Sequence, residues 1–362
     1  MIGGVNWIRP RRWTRGAALA TLAAACTPSS APVWVLSQPR ELGLRLDLRA
    51  PGPYSDDLDP NDPASPSEFL PGDTVEVTPL VAGPDGPIAP GDLQALWFLC
   101  DDAASCLLRG DRLEDAPACD DEPLAGPQRP CLLGGQPTAS WIVGEPPPPM
   151  MIAPGDDVAD AAIDVATSWP FVGMIASPPD GPGAEACRQA LDRRTSLEDC
   201  LLAERSIPLG PLSAVADVLG PLGYDVDFSE SLGPLLQRPR NHNPEVEVFN
   251  VTIAGESTTV RSAETIAVPP GSEVRVSWIP SADDVESFDI MLPEAPMPST
   301  VTESLGGRWY VSEEVEGYTA LDDGWTLELV APRRGQTHLH LLLRDDRGSE
   351  TSGWLILESS AS

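Results

Sequence analysis

The segment 71–79, PGDTVEVTP, combines a proline-glycine turn with a strand in which two valines share one face. Roughly 200 residues later, segment 270–278 repeats the pattern as PGSEVRVSW, again with alternating valines. Alternation with period 2 is typical of a half-buried strand, because successive side chains point to opposite faces of a sheet. A turn and strand that recur at this separation predict two domains of one architecture.

Strand patterns surround both copies of this turn. Residues 40–49 (RELGLRLDLR) and 245–253 (EVEVFNVTI) alternate apolar with polar or small residues, and 93–100 (LQALWFLC) has the composition of a buried strand. Further strands are predicted at 139–143, 163–167, 169–176, 309–312, 325–330, 337–343 and 353–358. The 41 prolines and 31 glycines oppose long helices. We therefore predict a mostly β protein with two β-sandwich domains.

Composition and turn signals set the predicted domain boundaries. Residues from about 101 to 136 are rich in cysteine, acids, proline and glycine and lack periodicity, which predicts a disulfide-rich insertion. Helical spacing and capping patterns predict short helices at about 184–220. The predicted order is a signal peptide at 1–25, a flexible tether at 26–39, a first sandwich with its partly helical insertion at 40–237, a linker at 238–244 and a second sandwich at 245–362.

The first 25 residues have the organisation of an export signal. Four arginines precede ten uncharged small or apolar residues. Ten residues span about 15 Å as a helix, half of a bilayer core, so the segment is too short for a transmembrane helix. The small residues before Cys26 resemble the lipobox of bacterial lipoproteins, although Ala23 stands where that family usually has leucine. The resemblance implies lipidation of Cys26, and an ordinary signal cleaved after Ala25 is the alternative.

Six cysteines remain when Cys26 is assigned to lipid. They are Cys100, Cys106, Cys119, Cys131, Cys187 and Cys200. An even number in an exported chain predicts three disulfides, and sequence proximity favours pairing within the first four and a separate Cys187–Cys200 bond. Zinc is not favoured, since there is no CxxC spacing and no nearby histidine.

The charge of the chain restricts its partners. The formal net charge is −32, all 23 basic residues are arginine, and loss of the signal arginines would leave −36. Such a surface repels phosphate backbones and anionic headgroups, which excludes nucleic acid. We therefore expect the N-terminal lipid, and not the protein surface, to bind the membrane.

The sequence contains no catalytic signature. GxSxG, HExxH, GxGxxG and phosphate-loop motifs are missing from it, and it has only three histidines, so we predict no enzymatic activity and no cofactor. One acidic cluster, Asp57, Asp59, Asn61 and Glu68, mimics the ligand positions of a calcium loop. Asp62 stands where the sharp turn of such a loop requires glycine, so structural Ca²⁺ is only a weak candidate.

Two further patterns have alternative interpretations. His338 and His340 share one face of a predicted strand, as a metal pair requires, but a site needs a third ligand from elsewhere. The favoured interpretation is a polar outer face that alternates with Leu339, Leu341 and Leu343. Seven tryptophans could form a carbohydrate-stacking platform if some of them face outward, but we expect most to lie between the sheets of the sandwiches: Trp97, Trp141, Trp169, Trp278, Trp309, Trp325 and Trp354.

Several segments together resemble a known group of proteins. They are the strand from Arg40, the PGDTVEV turn and strand, the turn at 81–86, the Trp97 strand ending in Cys100, the Asn241-His242-Asn243-Pro244 segment and the turn at 344–348. This set is similar to the uncharacterised outer-membrane lipoproteins of myxobacteria and their relatives. The resemblance implies immunoglobulin-like domains on an outer-membrane lipid anchor, and it implies no established activity.

These observations lead to an expected function. We expect an exported lipoprotein, anchored to the bacterial cell envelope at the outer membrane, with a structural or adhesive role. Edge strands or sandwich-end loops would contact an envelope protein or polysaccharide. An envelope enzyme or accessory glycan-binding subunit is the first alternative, and a calcium-dependent adhesion module is the second.

Overall fold

The computed structural model describes residues 32–55, 65–100, 107, 113–119, 130–144, 171–219, 238–281, 284–290 and 299–360. Several predicted features lie outside these residues. They are the signal peptide, Cys26, Asp57, Asp59, Asn61, Cys106, Trp169 and the strand predicted at 163–167. Within the described residues, the chain is mostly β, as predicted, and its strands form several antiparallel sheets.

The first half of the chain forms two four-stranded antiparallel sheets. In one sheet, the central strand β2 pairs with the other three, and the strands are β1 (Arg40–Ala50), β2 (Thr74–Gly83), β3 (Gly86–Ile88) and β6 (Ala139–Ile142). The other sheet has the order β5-β4-β7-β8 and contains β4 (Gln94–Cys100), β5 (Cys131–Gly134), β7 (Phe171–Ser177) and β8 (Leu201–Ser206). Their inner faces share one apolar core, so this half is a β-sandwich.

The core of the first sandwich follows from the alternation in its strands. Val75 and Val77 of β2 are fully buried, and the residues between them are partly exposed. Trp97 of β4 faces them from the opposite sheet and is also fully buried. Its indole N–H donates a hydrogen bond to the Gln136 carbonyl oxygen at 2.8 Å, which satisfies the one polar atom of this side chain.

Two short α-helices and several disulfides complete the described part of the first half. Helix α1 (Ala184–Asp192) lies between β7 and β8, and α2 (Leu212–Leu219) follows β8. The Cys187–Cys200 disulfide joins α1 to the start of β8, and the Cys119–Cys131 disulfide fixes the segment before β5. Cys100 is also disulfide-bonded. The prediction of disulfide bonds is thus confirmed.

The second half forms another pair of facing sheets. One sheet has the order β10-β9-β12-β17-β16 and contains β9 (Val248–Ile253), β10 (Glu256–Arg261), β12 (Glu273–Trp278), β16 (Thr319–Ala320) and β17 (Thr326–Val330). The other has the order β11-β19-β18-β15 and contains β11 (Thr265–Val268), β15 (Leu305–Val311), β18 (Gly335–Asp345) and β19 (Glu350–Ser359). A hairpin of β13 (Ser287–Ile290) and β14 (Ser299–Thr302) lies outside both sheets.

Aromatic and branched side chains fill the space between these sheets. Phe249 of β9 and Trp309 of β15 are both fully buried, and their ring centroids lie 5.9 Å apart. Val274 and Val276 of β12 are buried beside them, with the intervening Arg275 exposed. The second half is therefore also a sandwich whose strands bury alternate residues.

The two proline-glycine turns adopt the same local structure. Gly72 has φ of 86° and Gly271 has φ of 72°, in the left-handed region that glycine enters at little cost. Each turn leads directly into a central strand of its sheet, β2 in one sandwich and β12 in the other. The repeated sequence thus specifies the same turn and strand twice.

The two sandwiches pack against each other within one compact unit, Val33–Ser362. Strand β1 lies against β19, and an apolar cluster of Leu36, Leu42, Ala82, Tyr310 and Leu342 joins the two halves. Residues just before β1 also contact the second sandwich, since Val35 forms a parallel bridge with Val311. Among the described residues, no helix is long and apolar enough to cross a membrane.

Candidate functional site: a buried charged junction

The most unusual feature of the molecule is a group of charged and amide side chains, most of them buried and the others partly buried, where the two sandwiches meet. We call this group the junction. Its members are Asp47, Glu68, Asp73, Arg205, Arg240, Asn241, Asn243, Glu286, Glu303, Asp345, Arg347 and Glu350. Buried charges are retained only when they are paired and hydrogen-bonded, so the partners of each group decide what the junction does.

Arg347 is the centre of the junction, and its guanidinium group binds several carboxylates. Its Nε donates to Glu303 Oε1 at 3.0 Å, and its Nη2 donates to Glu286. Its Nη1 donates to the Pro239 carbonyl oxygen at 2.8 Å and lies 3.6 Å from Glu68 Oε2. The side chain of Arg347 is only 7% exposed. One guanidinium cation is therefore paired with three glutamate side chains, so the carboxylates outnumber the cation.

This excess, together with burial, changes the acidity of two of the glutamates. Burial raises the pKa of Glu68 to about 7, with the nearby Arg347 opposing the shift. Burial and the charge of Asp345 raise the pKa of Glu303 to about 7, again against Arg347. In both cases desolvation of the carboxylate outweighs the attraction of the arginine. These two groups therefore titrate near neutral pH.

Asp73, from the first proline-glycine turn, forms a second centre. Its Oδ2 accepts hydrogen bonds from Arg240 Nη2 at 2.7 Å and from the Leu70 amide at 2.8 Å. Its Oδ1 accepts a hydrogen bond from the Gly52 amide at 2.7 Å. Asp73 is fully buried, and Arg240 Nε also donates to the Glu68 carbonyl oxygen at 2.7 Å. This aspartate ties the turn before β2 to the segment that connects the sandwiches.

That connecting segment, predicted as a linker at 238–244, contributes two buried asparagines. The backbone amide of Asn241 donates to Glu68 Oε2 at 2.9 Å, and its Nδ2 donates to Asp345 Oδ2 at 2.8 Å. Asn243 Nδ2 donates to the Leu46 carbonyl oxygen at 2.6 Å. Asn241 thus binds groups from both sandwiches, so the segment is part of the interface.

A third set of contacts lies around Glu350 at the start of β19. Glu350 Oε2 accepts a hydrogen bond from the Leu44 amide at 2.8 Å, which links β19 to β1. Arg205 donates to the carbonyl oxygens of Leu44 and Gly348. Burial and the charge of Glu350 raise the pKa of Glu41 to about 7. The backbone amide of Leu44 in the first sandwich thus binds a side chain of the second. Arg205 of the first sandwich binds one backbone carbonyl oxygen in each sandwich.

The junction is built to hold the sandwiches together. Its carboxylates contact arginines, asparagines and backbone amides, and neither Glu68 nor Glu303 lines any of three cavities of about 400 Å³ found in the described part of the chain. Breaking a buried, hydrogen-bonded ion pair strongly destabilises a protein, because the remaining charge stays buried. The arrangement is therefore suited to fixing orientation.

The residues that the sequence suggested as possible metal ligands lie in different parts of the structure. Glu68, the one described residue of the calcium cluster, is a member of the junction. His338 and His340 share a face of β18, with ring centroids 6.4 Å apart. Burial lowers the pKa of both, that of His340 to about 4 with His338 contributing. In the described ranges, no group of three or more His, Cys, Asp or Glu side chains is placed to hold a metal ion.

The tryptophans lie mainly in the cores. Trp97, Trp141, Trp278 and Trp309 are buried. Trp325 and Trp354 are partly exposed, and they lie on strands or turns of different sheets of the second sandwich. Trp325 packs edge-on against Trp278, and Trp354 stacks near His338 and His340. The described tryptophans therefore do not form one planar exposed row.

Sequence reasoning missed the junction. Arg240 and Arg347 occur in segments, RPRNHNP and RDDRG, that read only as a linker and a turn. A usable signal was present, since each segment has two arginines and the first also has two asparagines, in a chain that has 55 acids and 23 basic residues. Their partners are distant in sequence, so the pattern alone could not assign them.

Comparisons with known proteins add little to this description. No family model and no curated protein match the chain. A nucleoside hydrolase-related hypothetical protein from Saccharophagus degradans, associated with carbohydrate metabolism, is similar with a TM-score of 0.22 and 12% identity, over 51% of this chain and 39% of that one. Dimeric latent PorU from Porphyromonas gingivalis has a TM-score of 0.17 and 9% identity, over 88% of this chain and 24% of that one. The chain spans less than half of either structure, and both likenesses are too weak to bear on function.

Proposed function

We propose that this protein is a lipid-anchored lipoprotein of the bacterial cell envelope, at the outer membrane, with a structural or adhesive role performed by two immunoglobulin-like domains. The observation that carries this proposal is the junction, in which Arg347 and Asn241 bind groups from both sandwiches and Arg240 ties the connecting segment to the first. A protein that presents binding surfaces away from a membrane benefits from fixed domain orientation, since ordering on binding is then unnecessary.

Strand order supports the immunoglobulin-like assignment. In the second sandwich, the orders β9-β12-β17-β16 and β11-β19-β18-β15 match sheets A-B-E-D and A′-G-F-C of that fold, including the parallel pairing of β11 with β19. In the first sandwich, β1-β2-β6 and β5-β4-β7-β8 match sheets A-B-E and C′-C-F-G. Domains of this architecture commonly recognise partners through their end loops.

The envelope location rests on two features. The arginine-flanked apolar segment ending at Cys26 has the organisation of a lipoprotein signal. Disulfides such as Cys187–Cys200 and Cys119–Cys131 persist in oxidising compartments outside the cytosol. Together they support export followed by lipid anchoring.

The anchor is tested by replacing Cys26 with serine in the producing cell. We expect the wild-type chain in the membrane fraction, and Cys26→Ser in the soluble fraction without lipid label, because serine has no thiol to acylate. Fractionation and metabolic lipid labelling measure this. A variant that stays in the membrane fraction would contradict the anchor.

The binding role is tested by cross-linking on intact cells, with the full-length chain as bait. We expect the same envelope protein or polysaccharide neighbour in independent repeats, and its loss with the Cys26→Ser variant. Absence of any recurring neighbour would contradict the adhesive part of the proposal.

A further inference from the structure

We propose that a cleft at one end of the first sandwich binds an extended cationic segment of a partner protein, with arginine or lysine side chains entering it. This inference rests on the proposed binding function and names the surface and the chemistry. The cleft, which we call the loop-end cleft, has a volume of about 400 Å³. It is lined by the end of β2, the turn to β3 and β3 itself (83–88), by the segment 178–181 after β7, and by Pro39 and Asp199.

The cleft lies at the end of the first sandwich where two loops meet. In the strand correspondence above, β2 is strand B and β7 is strand F, so the cleft lies between the loops that follow these strands. Those loops emerge at the same end of an immunoglobulin-like sandwich, the end at which variable domains carry their binding loops. Loops held by a rigid scaffold are where binding residues concentrate.

The residues that line the cleft are held rigidly. Five of the lining residues are prolines, and Cys200, next to Asp199, is joined to α1 by the disulfide with Cys187. The Gly181 amide donates to the Pro178 carbonyl oxygen at 3.0 Å, which closes the turn after β7. A surface that is already ordered loses little entropy when a ligand binds.

Charge complementarity identifies the occupant. Asp85, Asp180 and Asp199 come from three separate positions around the cleft, all three are exposed, and none of its described lining residues is basic. Arginine and lysine pack their aliphatic stems on apolar surface and direct the charged group to acceptors at its rim. Prolines in the cleft provide the apolar surface, and the three aspartates provide the acceptors.

A second cavity differs from this cleft because a basic residue lines it. The cavity of about 420 Å³ beside β12 and β17 also has carboxylates in its lining, but it contains Arg275, whose Nη1 lies 3.6 Å from Glu328 Oε1. Its negative charge is therefore partly neutralised from within. The loop-end cleft has no such internal cation among its described lining residues, so its charge is available to a partner.

The test uses the full chain and a fluorescent peptide, Arg-Pro-Arg-Pro-Arg, as the probe, with binding measured by anisotropy at physiological salt. The test variant is Asp85→Asn/Asp180→Asn/Asp199→Asn. Asparagine suits position 199, where φ is 62°, because it tolerates the left-handed region. The control, Glu314→Gln/Glu316→Gln/Asp322→Asn, removes the same charge from exposed positions of the second sandwich.

A steric variant makes the test independent of charge. Gly83 lines the cleft, and a Cβ there would meet Ile88 Cδ1 at 3.6 Å and Pro39 at 3.8 Å, which are ordinary contacts, so the position accepts a Cβ and Gly83→Leu adds bulk to the cleft. We expect at least 10-fold weaker probe binding in the triple aspartate variant and in Gly83→Leu, and less than 3-fold change in the control. Equal weakening in all three variants would overturn the inference, because it would indicate only general attraction to a chain of charge −32.

The two proposals fail in different ways. If cross-linking captures a recurring neighbour but cleft variants bind the probe like the wild type, the binding function stands and the loop-end cleft is overturned. If no neighbour is captured from cells, the proposed function fails whatever the peptide does.

Discussion

The two proline-glycine turns have the same conformation but different surroundings. Asp73, which follows the first turn, is fully buried and accepts hydrogen bonds from Arg240 and from the backbone amides of Gly52 and Leu70. Ser272, which follows the second, is partly exposed and donates one hydrogen bond to the Pro269 carbonyl oxygen at 2.7 Å. Equivalent positions of the repeat thus differ in burial and in the number of hydrogen bonds that their side chains form, because only the first turn lies where the sandwiches meet.

The largest expected effect comes from substitutions at the two turns themselves. Asp73→Ala leaves the buried Arg240 without its carboxylate and two backbone amides without an acceptor, so we expect a loss of about 3–5 kcal/mol in the free energy of unfolding. Ser272→Ala, the matched control, should lose under about 1 kcal/mol because its hydrogen bond is exposed. Urea denaturation of both full-length variants measures this. Equal losses would show that the junction does not distinguish the turns.

The second prediction extends the comparison to arginines. Arg347→Met removes the cation shared by Glu68, Glu286 and Glu303, and we expect a loss of about 3 kcal/mol, moderated by protonation of the glutamates. Arg275→Met removes an exposed arginine of the second sandwich that pairs with Glu328, and should change stability by under about 1 kcal/mol. The same denaturation measurement applies. A loss at Arg347 no greater than that at Arg275 would contradict the assigned role.

The smallest expected effect concerns pH. The pKa values of Glu68 and Glu303 are raised from 4.5 to about 7, so the folded chain keeps these protons where the unfolded chain releases them. The stability that these groups contribute is therefore complete below pH 4.5 and is lost as the pH rises to about 7.

Glu303→Gln tests this sign, because glutamine stays neutral at every pH. We expect the fall in unfolding free energy between pH 5 and pH 8 to be smaller in this variant than in the wild type, by about 1–2 kcal/mol. Glu328→Gln, which removes an exposed carboxylate of the second sandwich, should leave the fall unchanged. A Glu303→Gln variant with the wild-type pH dependence would show that Glu303 is already ionised in the folded protein.

Much of the fold follows from local patterns. Alternating leucines at 40–49 and valines at 74–77 form strands, and both proline-glycine pairs form turns. The Cys187–Cys200 bond, favoured by proximity, is present. These features are predictable because the residues that decide them lie within a few positions of one another.

The polar side chains were not predictable in the same way. The histidine pair predicts a polar outer face, yet His340 is only 2% exposed. Leu342, on the same face of β18, packs in the apolar cluster that joins the two halves. The sequence pattern places Glu68 in an acidic loop, yet in the structure Glu68 lies in the junction beside Asn241 and Arg347. A charged residue in a loop has the same local pattern whether water or another domain covers it.

By itself, the sequence determined the strands, the repeated turn, the compatible cysteine pairs and the strongly acidic character of the chain, since periodicity, glycine conformation and charge are local or additive properties. Only the tertiary structure decided that the first turn is buried and the second exposed, and that Glu68, Glu303 and Arg347 meet. Those contacts join segments more than 40 residues apart, up to 279 for Glu68 and Arg347, and their energies depend on burial that appears only when the two sandwiches pack.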